Sequence, residues 1–141
     1  MKILITGSNG FVGKNLVSTL AYLDEFEILT FNRNDDEVLL DRHTKDCDFV
    51  IHLAGVNRPL DKAEFYTGNV GLSEKLIASL KKNSNKAPIL VTSSIQAELE
   101  NDYGKSKKAG EELLIQYGKN ENVEILIYRL PNLFGKWSKP F

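Results

Sequence analysis

Residues 2–13 read KILITGSNGFVG, and this stretch decides the fold. KILIT, at 2–6, is short, rich in β-branched residues and halted by a glycine, as a strand buried on both faces is. The pattern behind it is helical: Val12, Leu16 and Leu20 recur at four-residue spacing, and Thr19 and Leu23 widen the stripe. Gly7, Gly10 and Gly13 fill the join as G-x-x-G-x-x-G, one residue looser than the G-x-G-x-x-G fingerprint of a dinucleotide cradle. Gly7 can leave the strand with backbone angles closed to other residues. Gly10 bares the backbone to a pyrophosphate, and Gly13 lets the helix close on the sheet. The free amides and partial positive charge of a helix start make this corner an anion site. Three glycines could also shape a mere tight turn. A strand before them and a helix after them is the context that a dinucleotide site requires. Asn9, Phe11 and Val12 complete the set expected to touch the cofactor here.

Working outward, strands and helices alternate. EILTF (27–31) reads as a second strand, and DFVIHLAG (48–55) contains another that ends on small residues. Residues 61–82 form a long amphipathic helix with Leu72, Leu76, Ile77 and Leu80 on one side. APILVTSS (87–94) is a strand, residues 102–118 a helix carrying Ala109, Leu113 and Leu114, and VEILIYRL (123–130) a last strand. Such alternation implies βαβ units, a mostly parallel sheet and helices on both faces: an α/β, Rossmann-like three-layer αβα fold. Residues 33–48 are too few for the helix, strand and helix usual there, so an abbreviated connection is expected. Val38–Leu40 reads as a short strand or as part of one helix.

The 141 residues suit one domain, and 42% hydrophobic content is that of a globular chain. Eighteen basic against nineteen acidic residues give a net charge of -1, so no field recruits nucleic acid or an anionic membrane. Any anionic ligand must be held by local donors. Cys47 is the only cysteine, which fits a reducing compartment, and the apolar start is too short for a membrane helix. The cytoplasm is the expected location. No histidine, cysteine or acid cluster has metal-ligand spacing, so no metal is expected, and His52 reads as a packed core residue.

The end of the second strand bears on the nucleotide. A site for NAD wants a carboxylate there to accept from the ribose hydroxyls. FNRND places Asn32 at that point with Arg33 after it, and an amide with a forked cation suits a ribose phosphate. NADPH is therefore expected, with Asp35 or Asp36 serving NAD as the alternative.

Tyr103 and Lys107, in YGKSK, stand four apart on one helix face, about ten residues after Ser93 and Ser94. Together with Thr6-Gly7-x-x-Gly10-x-x-Gly13, Leu53-Ala54-Gly55 and Arg129-x-x-Asn132-x-x-Gly135, in that order along nearly the whole chain, they resemble the extended short-chain dehydrogenase/reductases, the NAD-dependent epimerase/dehydratase family. The resemblance implies a catalytic trio of Ser94, Tyr103 and Lys107. Tyr103 would give a proton to a substrate carbonyl as hydride arrives, its pKa lowered by Lys107 and a cationic nicotinamide. Lys107 would also hold the nicotinamide ribose, Ser94 would orient the carbonyl, and Asn132 would face substrate. Leu53, Ala54 and Gly55 would let the cofactor lie against the backbone. Structure alone would account for the same residues as loop caps, for the serines, and as a helix-start tyrosine capped by Asn101 or Asp102.

Relatives that dehydrate nucleotide sugars carry Thr-Asp-Glu where this chain has Ser94-Ile95-Gln96, and epimerase relatives usually hold NAD permanently, which Asn32 and Arg33 disfavour, so the resemblance leaves a reductase. LAGVNRP, SSIQA, DYGKSK and YRLPNLFGKW look like the N-terminal reductase part of bacterial capsular-polysaccharide enzymes of this family. That likeness implies NADPH-dependent reduction of a 4-keto-6-deoxy UDP-N-acetylamino sugar, toward UDP-N-acetyl-L-fucosamine, with Asn57 and Arg58 near cofactor or substrate. An epimerase/dehydratase, a cofactor-binding sensor and an inactive interaction module are the rival readings. The resemblance further implies a cofactor domain standing before a substrate lobe and a cupin-like domain, inactive when alone. It also implies pairing as a homo-oligomer, a dimer, through residues 61–82 and 102–118.

Overall fold

The computed structural model describes residues 1–57 and 60–138. Five strands, β1 (Lys2–Thr6), β2 (Glu27–Phe31), β3 (Phe49–His52), β4 (Ile89–Ser94) and β5 (Ile125–Leu130), form one sheet in the order β2-β1-β3-β4-β5. Every pairing is parallel. The helices are α1 (Phe11–Leu20), α2 (Glu37–Asp46), α3 (Ala63–Tyr66), α4 (Leu72–Lys82) and α5 (Asp102–Glu121). The step from β1 to β2 runs opposite to the three later steps. Right-handed crossovers therefore put α1 on one face and α2, α4 and α5 on the other. The side chains agree. Leu4 joins Val50, Ile89 and Val91 in a cluster with Leu40 of α2, Leu76 and Leu80 of α4, and Leu114 and Tyr117 of α5. Ile3 and Ile5, also buried, alternate to the α1 face. The expected αβα layering holds, with α1 the only described helix of its layer.

Between β2 and β3 there is a loop and the single helix α2. Val38 and Leu40 belong to that helix, and Asp36 caps it by accepting from the Val38 amide at 2.9 Å. A strand here would be a sixth, outside β2; ten residues of helix use up the chain instead. The long helix read over 61–82 is found from Ala63 to Lys82, with a π turn inside it. Residues 67–71 form the π turn between α3 and α4, and Val56 packs against Gly68 within it. A methyl on Gly68 would stand 2.2 Å from Val56 Cγ2. α1 stops at Leu20, leaving Leu23 exposed, and α5 runs three residues past Gly118 to a left-handed Asn122. No helix among the described residues is long and apolar enough to cross a membrane.

Because β1 and β3 are neighbours while β2 lies on the far side of β1, the chain changes direction at the β1–β3 boundary. Ligands of open parallel sheets bind beyond the strand ends at such a point. Both the glycine turn after β1 and residues 53–55 after β3 emerge there.

Candidate functional site

Gly7 has φ +74°, in the left-handed region, and a Cβ on it would lie 2.7 Å from the Ala54 amide nitrogen. Only glycine combines that dihedral with that approach. The Gly7 amide donates to Phe31 O at 2.8 Å, tying the turn to β2. A Cβ on Gly13 would stand 2.3 Å from Gly7 O, so α1 rests directly on the turn. Gly10 caps α1 without any side-chain bond, and the amides of Phe11, Val12 and Gly13 have no partner within the helix. A backbone cradle of this shape, with a positive helix end, fits a dinucleotide pyrophosphate.

The cradle opens into a groove of about 940 Å³. Gly7, Asn9, Gly10, Asn32, Arg33 and residues 53–56 form one wall, and residues of the π turn and α4, including Lys75, form the other. Arg33 is exposed at its rim. Asn32 is more constrained than the sequence suggests. Its Oδ1 accepts from the Asn9 amide at 3.0 Å and its Nδ2 donates to Ser8 Oγ at 2.9 Å. The amide side chain thus clamps the glycine turn to the end of β2. Asp35 turns back to accept from the Asn32 amide at 2.7 Å.

Ser94, Tyr103 and Lys107 do not line this groove; they lie beyond the shelf at 53–55. Asn101 caps α5 by accepting from the Gly104 amide at 2.7 Å. A Cβ on Gly104 would meet Gln96 O at 2.1 Å, so the helix start is seated on the 3-10 turn Ile95–Glu98 that follows β4. This places Tyr103 beside Ser94. The Tyr103 ring packs on Phe65 of α3, centroids 5.7 Å apart. Ser94 Oγ also accepts from the Gln96 amide at 3.2 Å, so it caps the turn as well as facing the phenol. Lys107 Nζ donates to Thr92 O at 3.0 Å and lies 3.7 Å from the point where a Cβ of Gly55 would stand. The lysine and the shelf therefore meet at Gly55.

Burial pushes the Tyr103 phenol up from its ordinary value, and the Ser94 hydroxyl pulls only part of the way back. The lowering expected from Lys107 together with a cationic nicotinamide is not among the influences on the phenol here, where burial dominates. Burial also pushes Lys107 down, and Glu111 one turn along works against that.

Ser93 and Ser94 are separated by the pleat. Ser93 Oγ is buried beside the Glu111 carboxyl, which its hydroxyl helps to hold low, and faces a cavity of about 10 Å³, with room for one water, shared with Lys107, Glu111 and Asn69. Burial alone would raise the Glu111 carboxyl. The Arg129 guanidinium, bonded to it at 3.0 and 2.7 Å, more than offsets this and holds it low. Arg129 reaches Glu98 too, at 2.7 Å, so it ties β5 to α5 and the 3-10 turn.

Asn132 is exposed in the segment after β5, which returns over the start of α1. Asn15 Nδ2 donates to Lys136 O at 2.9 Å, and a Cβ on Gly135 would lie 3.8 Å from the Phe11 ring. Asn57 is exposed, and Arg58 lies outside the described residues. The sequence reading missed Asn69. Its Oδ1 accepts from the Val56 amide at 2.9 Å, and its Nδ2 donates to Val56 O at 3.1 Å and to Ser106 Oγ at 3.0 Å. The signal available was two glycines, Gly68 and Gly71, around a buried amide inside a helical pattern. Among the described residues no group of three histidine, cysteine or acidic side chains could hold a metal ion.

The profile described as the NAD dependent epimerase/dehydratase family matches residues 3–141. A UDP-2-acetamido-2,6-beta-L-arabino-hexul-4-ose reductase of Pseudomonas aeruginosa is 46% identical over 99% of this chain and 38% of its own length. The crystal structure of the capsular polysaccharide assembling protein CapF of Staphylococcus aureus superposes with a TM-score of 0.86 at 46% identity, over 99% of this chain and 38% of that one. The structure of RMD from Pseudomonas aeruginosa complexed with NADPH superposes with a TM-score of 0.82 at 28% identity, over 98% and 56%. The chain thus spans well under half the length of the reductase and of CapF.

Proposed function

The chain belongs to the NAD dependent epimerase/dehydratase family, and we propose that it performs the cofactor-binding and proton-donating share of a reductase acting on the keto group of a nucleotide-linked sugar. The observation that carries this reading is the convergence at Gly55. The cradle and shelf approach it from one side and the Lys107 ammonium from the other, 3.7 Å from its Cβ position. One extended molecule can therefore reach from the glycine turn to Tyr103.

NADPH, when bound, supplies the hydride. The amides of the α1 start hold the pyrophosphate, Asn32 keeps the turn in shape, and Arg33 offers forked donors to a ribose phosphate. Gly55, lacking a side chain, would leave room for the nicotinamide end beside Lys107, whose ammonium would donate to ribose hydroxyls. Ser94 and Tyr103 direct hydrogen bonds at one carbonyl oxygen, and Tyr103 gives up its proton as the oxygen gains charge. A phenol raised by burial is fully protonated near neutrality, the state a reductase needs at the start of turnover. The 46% identical reductase supports a UDP-linked 4-keto-2-acetamido sugar as substrate class. The reading gives the holding of that sugar, with Asn132 at its edge, to the part of the relatives that this chain does not match.

Fluorescence titration tests the cofactor half. Saturable NADPH binding, tighter than NADH, is expected, and binding of neither nucleotide would refute the reading. Adding the 4-keto sugar nucleotide tests the division of labour. The chain is expected to bind NADPH without sustained turnover. Turnover equal to that of the full-length reductase relative would overturn the division, and its loss in Tyr103→Phe with NADPH binding kept would still assign the proton donor.

A further inference from the structure

His52 stands in the middle of a hydrogen-bonded chain whose direction can be worked out atom by atom. Ser73 Oγ donates its one proton to Asn69 O at 3.1 Å. The same oxygen is 3.0 Å from His52 Nε2, so it can only accept there, and Nε2 carries the hydrogen. The ring is 2% exposed, and burial together with the nearby Lys107 charge takes its pKa down to about 3. The ring is therefore neutral and Nδ1 is bare. Nδ1 accepts from Thr6 Oγ1 at 2.7 Å, and Thr6 Oγ1 accepts from the Ala54 amide at 3.3 Å. Every donation runs one way: Ala54 to Thr6, to His52, to Ser73, to Asn69.

Both ends of this chain are parts of the site. Ala54 is the middle of the shelf against which Gly7 packs. Asn69 grips Val56 and Ser106, and Ser106 Oγ donates to Tyr103 O at 2.7 Å. An imidazole in this setting is one donor and one acceptor at fixed separation, so it sets the distance between β3 and the π turn.

We propose that His52 is a positioning residue, held as the Nε2–H tautomer, that fixes the shelf at 53–55 and the seat of Tyr103 and Lys107 as one unit. The consequence for cofactor binding rests on the function proposed above; the tautomer and the bonding do not.

Long-range ¹H–¹⁵N correlation on histidine-labelled chain tests it directly. The expected spectrum has Nε2 protonated and Nδ1 bare, unchanged from pH 8 to pH 5. An Nδ1–H ring, or a ring that titrates above pH 5, overturns the proposal. Ser73→Ala removes the acceptor of Nε2–H and is expected to move a measurable fraction of the proton to Nδ1. Thr6→Val, nearly isosteric, is expected to speed hydrogen exchange at the Ala54 amide and to weaken NADPH binding about three- to tenfold, the size of one lost hydrogen bond. Unchanged Ala54 exchange in Thr6→Val, or an unmoved proton in Ser73→Ala, would also overturn it. If the unaltered chain binds no NADPH, the functional reading fails, and tautomer and exchange still decide the proposal.

Discussion

Lowering the pH from 7.5 to 5 is expected to remove about 2 kcal/mol of folding stability through His52 alone. The unfolded ring takes up a proton around 6.5 and the folded ring only around 3, because burial and then the Lys107 charge oppose protonation. Between these values the unfolded chain binds more protons than the folded one. Stability is therefore full above about 6.5 and falls with falling pH, the sign for a base buried in its neutral form. Linkage with these two pKa values gives roughly 2 kcal/mol by pH 5 and roughly 3 by pH 4, set against the 5–15 or so of an ordinary domain. Asp41, held low by Lys82, and Glu111 begin to matter only at more acidic pH. The other histidine, His43, is half-buried and shifted the same way by burial, so the comparison is made in a His43→Gln background.

The assay is urea unfolding at intervals between pH 7.5 and 5, extrapolated to water. The His43→Gln chain should lose about 2 kcal/mol across the window. Adding His52→Gln should lower stability at pH 7.5 and leave it nearly flat down to pH 5. If that double variant does not fold, the ring's own titration replaces it: at pH 5 the imidazole must still be neutral. A flat profile with His52 present, or the same slope with and without it, would refute the reasoning.

Three further outcomes follow from other parts of the molecule. Gly7→Ala forces a left-handed alanine 2.7 Å from the Ala54 nitrogen, and is expected to cost about 2–5 kcal/mol. That is a fall in Tm of roughly 6–15 °C by calorimetry, and a shift under 2 °C would show that the turn relaxes freely. Asn32→Asp keeps an acceptor for the Asn9 amide but loses the donation to Ser8, and puts a carboxylate where ribose hydroxyls would lie. The ratio of NADPH to NADH dissociation constants should move toward NADH by about tenfold or more, roughly 1.4 kcal/mol, and an unmoved ratio removes Asn32 from nucleotide selection. Cys47 is 4% exposed, and burial pushes its thiol up to about 11. Iodoacetamide at pH 8 should label it only as fast as the chain unfolds, and prompt labelling of folded protein would contradict its burial.

What the sequence disclosed was whatever has a local period or a local steric cause. The strand KILIT, the three glycines and the Tyr103–Lys107 pair each act within a few residues, and each stands where its spacing implied. The missing third strand was legible only as a shortage of chain between Arg33 and Asp48; helix formation over Glu37–Asp46 then settled what Val38–Leu40 become. The π turn at Thr67–Gly71 had a local cue, Gly68 and Gly71, but the contact that needs a glycine at 68 is distant, since Val56 packs there.

The remainder depends on partners far apart in the chain, and these decide how the site works. Thr6, His52, Ser73, Asn69 and Ser106 carry no period as polar residues scattered through strands and helices. Only the register that pairs Thr6 with His52 across β1 and β3 brings the first two together. The same distinction explains Asn32 and Tyr103. Asn32 was read by its position for what it would offer a ligand, whereas the fold spends that amide on Ser8 and Asn9. Helical spacing puts Tyr103 and Lys107 on one face, but it fixes only the face, and only the fold shows that the Lys107 ammonium donates to Thr92 O on β4. Burial raises the Tyr103 phenol and lowers the Lys107 ammonium, two effects that follow from where the fold seats α5 and that spacing along the helix does not reveal.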